Sequence, residues 1–381
     1  MSRKQFFILL AALVVLAAAG AGVILSERSD WNRADVRAGQ KVVPGLKISD
    51  VAEIAIRNTA GELHLAKGEK GWTIRERADF AADTDRVAEL LVKVAELKIV
   101  QNESLPESQR ARLQLLEPKD KAQDAGTLLE LKDAKGAALA RLLLGKKVLR
   151  AAEIAQLGRS EELPAGRYLV AGNDTGTMLV VAEPFTQVEP KADLWLVKDL
   201  IRVEGAKSIV STGGDGKLRW TATRDSESAD WKFAGSSVKP DLQKITDVSS
   251  SLTWINLSDV VADPAKTDTG LDRPVTVKAV TFDGLTYTLR VGKRAGDDYY
   301  LGIAVAGEPA QARVPAKNEK AEDKAKNDKE FEERRKKLAE KVGREKNLSR
   351  WTYLVAKSSL DPLLRDRAQL MPEKKKAAKK G

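Results

Sequence analysis

Short runs in which apolar and polar residues alternate occupy most of the chain, and this alternation is typical of half-buried β-strands. Residues 54–56 and 63–65 follow it, and Gly61 marks a turn between them. The alternation returns in residues 127–132 and 138–144, which are also separated by a short turn. Strands joined by such short turns pair in antiparallel fashion.

Two other stretches have helical spacing. Asp83 or Thr84 can cap the first helix, and Pro240 with Asp241 opens the second. Each helix carries its apolar side chains on one face. These are Val87, Leu90, Leu91, Val94 and Leu97 in the first helix, and Leu242, Ile245, Val248 and Leu252 in the second.

The order of these elements occurs twice along the chain. Trp72 and Trp231 take the same place in the two halves, as do Tyr168 and Tyr300. We expect these four aromatic residues to pack in the core of each repeat. Sugar stacking by the two tryptophans is the alternative. The prediction is an α+β fold of two tandem repeats, each a mostly antiparallel sheet with packed helices.

The N-terminal pattern differs from the rest because residues 6–25 are apolar throughout, which is long enough for a transmembrane helix. Arg3 and Lys4 precede it, so we expect a cytoplasmic N-terminus and an extracytoplasmic remainder. A cleaved signal peptide is the alternative, because residues 17–19 are three alanines. The length of the run favours an uncleaved signal anchor in a bacterial inner membrane.

A charged segment of residues 307–350 replaces a short hairpin loop of the first repeat, residues 172–176. Helix-forming residues dominate it, and opposite charges recur at helical spacing, so we predict an exposed helical insertion. Its narrow apolar stripe, Phe331, Leu338 and Val342, is a candidate surface for binding a partner.

These patterns divide the chain into successive segments. They are a cytoplasmic tip (1–5), a transmembrane helix (6–25), a linker (26–45), a first repeat (46–205), a second repeat (206–306 and 351–371), the insertion (307–350) and a basic tail (372–381).

Charge and composition exclude several classes of function. The tip, the insertion and the tail together account for the formal net charge of +10. The rest of the chain is thus neutral, which argues against nucleic-acid binding by a folded face. The chain has no cysteine, so disulfides, thiolate metal sites, cysteine nucleophiles and an acylated lipoprotein anchor are excluded.

Candidate catalytic motifs are weak. Two Asp-Thr-Gly triplets begin at Asp174 and Asp268, but they occupy different places in the repeats, unlike the paired carboxylates of aspartic proteases. His64, the only histidine, alternates with leucines on a predicted strand. Residues 213–217, GGDGK, lack the spacing of a phosphate-binding loop. We expect no catalytic, cofactor or metal site.

Several motifs together resemble the bacterial family named domain of unknown function 4340. They are GW at 71–72, LLEP at 115–118, LGKK at 144–147, RYLV at 167–170, GLDRP at 270–274, DGLTYTLRVGK at 283–293 and WTYLV at 351–355. The resemblance covers roughly residues 45–370 in two copies. It implies an envelope protein, of a kind often labelled as an accessory component of an ABC transport system of the gliding-motility type.

The expected function is therefore non-enzymatic. We predict a membrane-anchored, periplasmic accessory or scaffold subunit of a transport or envelope-assembly complex, with integral-membrane transporter or envelope proteins as partners. A glycan-binding module for an envelope polymer is the first alternative. An uncharacterised hydrolase is the second.

Overall fold

A computed structural model describes residues 37–119, 123–154, 159–309, 311–313 and 320–373. The predicted cytoplasmic tip, the predicted transmembrane helix of residues 6–25 and most of the predicted linker lie outside these residues, as does the tail from residue 374 onwards. Within the described part of the chain, no helix is both long enough and apolar enough to cross a membrane.

The chain divides into two compact units. The first consists of Met1–Arg75 and Thr84–Trp195, and the second consists of Glu76–Asp83 and Leu196–Gly381. The short segment Glu76–Asp83 thus belongs to the second unit, although residues of the first unit flank it in sequence.

The first antiparallel sheet has nine strands in the order β4-β3-β2-β1-β6-β7-β8-β9-β5. They are β1 (Glu53–Asn58), β2 (Gly61–Gly68), β3 (Gly71–Ile74), β4 (Phe80–Ala81), β5 (Ile99–Ser104), β6 (Thr127–Lys132), β7 (Ala138–Ile154), β8 (Arg159–Ala171) and β9 (Thr177–Val181). The helices between these strands are α1 (Thr84–Ala95) and α2 (Glu107–Arg110).

The second antiparallel sheet also has nine strands, in the order β10-β14-β18-β17-β16-β15-β11-β12-β13. They are β10 (Asp199–Ile201), β11 (Ala206–Thr212), β12 (Leu218–Thr223), β13 (Lys232–Phe233), β14 (Ile255–Val260), β15 (Val275–Thr281), β16 (Thr286–Ala295), β17 (Asp298–Ala306) and β18 (Thr352–Ala356). The helices are α3 (Leu242–Thr253), α4 (Ala321–Glu345) and α5 (Lys357–Leu360).

Eight successive strands have the same connectivity in the two sheets. The series β3-β2-β1-β6-β7-β8-β9-β5 of the first sheet corresponds to β13-β12-β11-β15-β16-β17-β18-β14 of the second. In each sheet one 12-residue amphipathic helix buries its apolar side chains, among them Leu91 of α1 and Val248 of α3.

The predicted α+β class is wrong. Most of the described residues lie in or between the strands of the two antiparallel sheets, and helices are few. The prediction treated the two 12-residue helices as if they formed a full layer on the sheets. In the first unit, loop residues cover one face of the sheet. Leu105 and Leu115 of the loops pack against Leu128 of β6 and Leu143 of β7, where an α+β fold would have a helical layer.

A loop crosses each sheet at the glycine of its Gly-Lys motif. In the first sheet the amide of Lys146 donates to the carbonyl of Leu113 at 2.8 Å, and in the second the amide of Lys293 donates to that of Thr269 at 2.8 Å. A Cβ on Gly145 would lie 2.5 Å from the Leu113 oxygen, and one on Gly292 would lie 2.2 Å from the Thr269 oxygen. Glycine is required because the loop passes too close for any side chain.

Candidate functional site

Helix α4 lies between strands β17 and β18 of the second unit, and its sequence gives it two different faces. Side chains that are at least partly covered recur at helical spacing, namely Phe331, Arg335, Leu338, Val342 and Glu345. Val342 is only 4% exposed. We call α4 together with the following 3-10 helix Lys346–Arg350 the arm.

Three hydrogen bonds attach the C-terminal half of the arm to the second unit. The Tyr287 hydroxyl donates to Oε2 of Glu345 at 2.7 Å. The Lys341 ammonium donates to the carbonyl of Arg202 at 2.9 Å, and the Tyr353 hydroxyl donates to the carbonyl of Leu348 at 2.7 Å. Each buried tyrosine is thereby satisfied by the arm, so the arm completes the packing of the sheet.

Burial changes the acid–base properties of this attachment. The pKa of the Glu345 carboxyl is raised because burial disfavours its charged form, and the hydrogen bond from Tyr287 only partly opposes this. The pKa of Tyr287 is raised for the same reason, and the neighbouring Glu345 raises it further. Tyr287 is therefore a neutral donor at physiological pH, and the charge of Glu345 depends on pH.

A cleft adjoins the middle of the arm. It has a volume of about 410 Å³ and is lined by Phe331 and Leu338 of the helix and by Phe282 and Pro309 of the second unit. At its rim the Arg334 guanidinium donates to Asp283 at 2.7 Å. Two of the three apolar residues singled out in the sequence, Phe331 and Leu338, thus face this cleft, while Val342 is buried beyond it.

The outward face of α4 is densely charged and exposed. Charges of both signs occur along it over several helical turns. The exposed residues include Lys324, Lys326, Lys329, Glu330, Glu333, Lys336, Lys337, Glu340 and Arg344. Such a face can form ion pairs with a complementary charged surface, and ion pairs of this kind set register and partner choice.

The four aromatic residues predicted to pack in the two repeats occupy different environments. Trp72 and Trp231 are buried, and the Arg224 guanidinium lies 4.9 Å from the centre of the Trp231 ring. Tyr168 is half-buried and packs against the cluster that contains Leu128, and Tyr300 is also half-buried. The two tryptophan rings therefore lack the exposed faces that stacking on a sugar requires.

The comparison with protein families identifies one match. The family described as a domain of unknown function (DUF4340) matches residues 72–274, which is more than half of the chain. The chain belongs to the DUF4340 family. Neither a curated protein nor a solved structure matches it.

The DUF4340 match runs from the first unit into the second as a single stretch. It starts at Trp72 and ends at Pro274, so it contains the first Gly-Lys motif and the loop that crosses it. The arm lies outside the matched residues. The family match thus establishes membership, and it does not extend to the arm.

Each candidate catalytic residue of this DUF4340 protein has a local structural contact. Asp174 lies in the β8–β9 loop of the first unit, where it accepts from the amide of Gly176 at 3.1 Å. Asp268 is in the second unit and pairs with Lys293. His64 lies on β2, 3.4 Å from Glu62. In the described part of the chain, no group of three His, Asp or Glu side chains is placed to hold a metal ion.

Two contacts within the second unit carry little signal in the sequence. Arg77 makes a bidentate ion pair with Asp259, in which Nε donates to Oδ1 at 2.7 Å and Nη2 donates to Oδ2 at 2.8 Å. Phe80 packs edge-on against Trp351, with ring centres 5.2 Å apart. The backbone of Ala78 has a positive φ, which is uncommon for a residue with a side chain. A lone phenylalanine in a polar stretch was the only available signal, and it does not identify its partner.

Proposed function

We propose that this DUF4340 protein is a non-enzymatic accessory or scaffold subunit of an ABC-type transport or envelope-assembly complex. Its partners would be integral-membrane transporter proteins or other envelope proteins. Residues 6–25 would hold it in a bacterial inner membrane as a single span, with the N-terminus in the cytoplasm and both units outside. We further propose that the chain contains two copies of the family unit, a proposal that the shared strand order of the two sheets supports.

The observation that carries this proposal is the arm. One face of α4 is fixed to the second unit through Val342, Lys341 and Glu345, so the helix is held in one orientation. The opposite face presents charges of both signs to solvent. Rigid presentation of a charged face lowers the entropy cost of association and gives specificity through charge complementarity.

Affinity purification in mild detergent tests the role of the arm. The test variant carries Lys329→Glu, Lys336→Glu and Lys337→Glu, three exposed positions where glutamate is as good a helix former as lysine. The matched control carries Lys47→Glu, Lys70→Glu and Lys239→Glu, which produce the same charge change at exposed positions elsewhere. We expect partner proteins to be lost from the test variant only. Equal recovery with both variants would contradict a docking role for the arm.

A reporter fusion tests the location. A reporter enzyme that is active only outside the cytoplasm should be active when it is fused after Leu370, because the positive charges of Arg3 and Lys4 precede the apolar segment. A fusion that is stably expressed and inactive would contradict the proposed orientation.

Glycan binding is the second candidate, and one observation favours it. Trp254 is 55% exposed, and the Arg202 guanidinium lies 4.4 Å from the centre of its ring. An exposed indole beside a cation is a common element of sugar recognition by stacking and hydrogen bonding. Binding of isolated cell-wall polymer that Trp254→Ala abolishes would favour this role, and wild-type binding by the variant would exclude Trp254 as its site.

A further inference from the structure

A groove of about 700 Å³ opens on the first sheet. Its floor is made by Ala138 and Ala140 of β7, Ala171 of β8 and Leu179 of β9. One wall is the segment of residues 41–44, which lies beside the start of β5. We call this cavity the first-unit groove. All of its lining residues belong to the first unit.

The pairing registers define the equivalent place in the second unit. Leu142 pairs with Ala171 in the first sheet, and Leu289 pairs with Ile303 in the second. The same alignment places Tyr287 where the groove has Ala140. It also places Tyr353 where the groove has Leu179. Tyr353 pairs with Leu301, and Leu179 pairs with Leu169, which is the counterpart of Leu301 in the first sheet. The four second-sheet residues therefore mark the site that corresponds to the groove.

In the second unit the arm covers this site. Tyr287, Ile303 and Tyr353 are each at most 1% exposed, and the arm accepts hydrogen bonds from both tyrosine hydroxyls. In addition, Lys341 of the arm reaches the carbonyl of Arg202, just beyond β10. Strand β10 pairs with β14 much as the segment around Lys41 pairs with the start of β5. The arm thus lies beside β10, and the counterpart of β10 in the first unit is the segment around Lys41.

The first unit has no arm between the corresponding strands, since β8 and β9 are joined by residues 172–176 alone. Its floor carries alanines at the positions of Tyr287 and Leu285, so it has room for a larger side chain than Val342. The charged groups that line it are Arg37, Lys41, Arg141 and Asp174. Lys41 pairs with Glu96, and Arg141 pairs with Glu117 and Glu130. Arg37 at the rim can complement a carboxylate that lies next to the apolar stripe of a bound helix.

We infer that the first-unit groove binds an amphipathic helix of a partner protein, one that places a large apolar side chain over Ala138 and Ala140 and an acidic side chain beside Arg37. The helix would lie as the arm lies on the second unit, where Val342 supplies the buried apolar group. Helices that lie in grooves through such anchors are a common mode of recognition. The inference rests on the proposed scaffold role and specifies one partner class.

Photo-crosslinking in living cells tests this binding in the full-length protein. Benzoylphenylalanine replaces Ala138 in the groove, Val100 on the exposed side of β5 as a control, or Lys337 on the outer face of the arm. We expect the Ala138 probe to crosslink to another protein, in a segment with apolar residues at helical spacing and Asp or Glu within one turn. The Val100 probe should not give this product.

Two variants fill the groove with the residues that the second sheet has there, Ala140→Tyr and Ala171→Ile. Each should lower the Ala138 product about tenfold, since loss of one anchor contact has an effect of that size. The thermal midpoint of each variant shows whether it is folded. The Lys337 product should remain.

Four results would overturn the inference. The first is an Ala138 product that the folded variants Ala140→Tyr and Ala171→Ile leave unchanged. The second is a crosslink to residues 1–36 of the same chain or to a second copy of it. The third is a crosslink to a basic segment, and the fourth is the absence of any crosslinked protein. If the Lys337 probe still captures a partner in those cases, the scaffold role stands and the groove is not a docking site. Loss of both products would contradict both proposals.

Discussion

At the scale of single residues, the two Gly-Lys motifs have one structural explanation. Gly145 and Gly292 are the points where a loop passes over a strand, and both loops are fixed there by an amide–carbonyl hydrogen bond of 2.8 Å. The repeated motif therefore reflects packing and backbone approach. It carries no information about a phosphate or any other ligand.

Alanine at either glycine should destabilise its own unit. The added Cβ would collide with a backbone oxygen that cannot move freely, so Gly145→Ala and Gly292→Ala should each lower the free energy of unfolding by about 1–3 kcal/mol. Gly68→Ala is the control, since its Cβ would meet its nearest neighbour at 3.5 Å. Denaturant unfolding measures the effect. A loss no larger than that of the control would mean that the loops adjust without strain.

The buried carboxyl of Glu345 predicts a pH dependence. Its pKa is raised above the ordinary value of 4.5, so its contribution to stability is fully present below pH 4.5 and is lost as the pH rises through the raised pKa. Glu345→Gln keeps an acceptor for Tyr287 and cannot ionise. This variant should lack that part of the pH dependence and should be at least as stable as wild type at pH 7.

Unfolding curves recorded across this pH range test the assignment. Glu340→Gln, on the exposed face of the same helix, is the matched control and should retain the wild-type dependence. If the Glu345→Gln curves change with pH as the wild-type curves do, another group is responsible.

At the scale of elements, the arm depends on a small apolar contact near its C-terminal end. Val342→Asp would place a charge in a position that is 4% exposed, and it should destabilise the attachment of α4 by about 2–4 kcal/mol. Hydrogen exchange of residues 321–345 should become much faster. Ala339→Asp, at an exposed position of the same helix, should leave exchange unchanged. Equal protection in both variants would show that Val342 does not hold the arm.

The sequence predicted local elements better than their arrangement. The spacing of Val87, Leu90, Leu91 and Val94 predicted helix α1, and all four residues are buried. The α+β class was wrong, because helical periodicity locates a helix without showing how much of a sheet it covers. The attachment of the arm through Tyr287 and Glu345 joins residues 58 positions apart, and no local pattern encodes such a pair.

The first-unit groove was also beyond local prediction. It becomes visible only when the pairing registers align Ala140 with Tyr287 and Ala171 with Ile303. Small residues at sites where the other half of the chain has large ones were the available signal. Without the strand pairing, that difference could not be assigned to one face of the sheet.

At the scale of the whole molecule, the proposed scaffold role would depend on exposed surfaces rather than on a single reactive side chain. Asp174 and Asp268 each make a local contact within their own unit. Catalytic sites lose activity sharply when one nucleophile or base is changed, whereas a docking face loses it when several charges are reversed together.

Complementation of a deletion strain, with protein level checked by blot, tests this claim most directly. His64→Ala, Asp174→Asn and Asp268→Asn should each restore the wild-type phenotype. The triple variant Lys329→Glu, Lys336→Glu and Lys337→Glu should fail, while the matched control with Lys47→Glu, Lys70→Glu and Lys239→Glu should succeed. Failure of any one of the three point variants at a normal protein level would contradict the scaffold account and favour an enzyme.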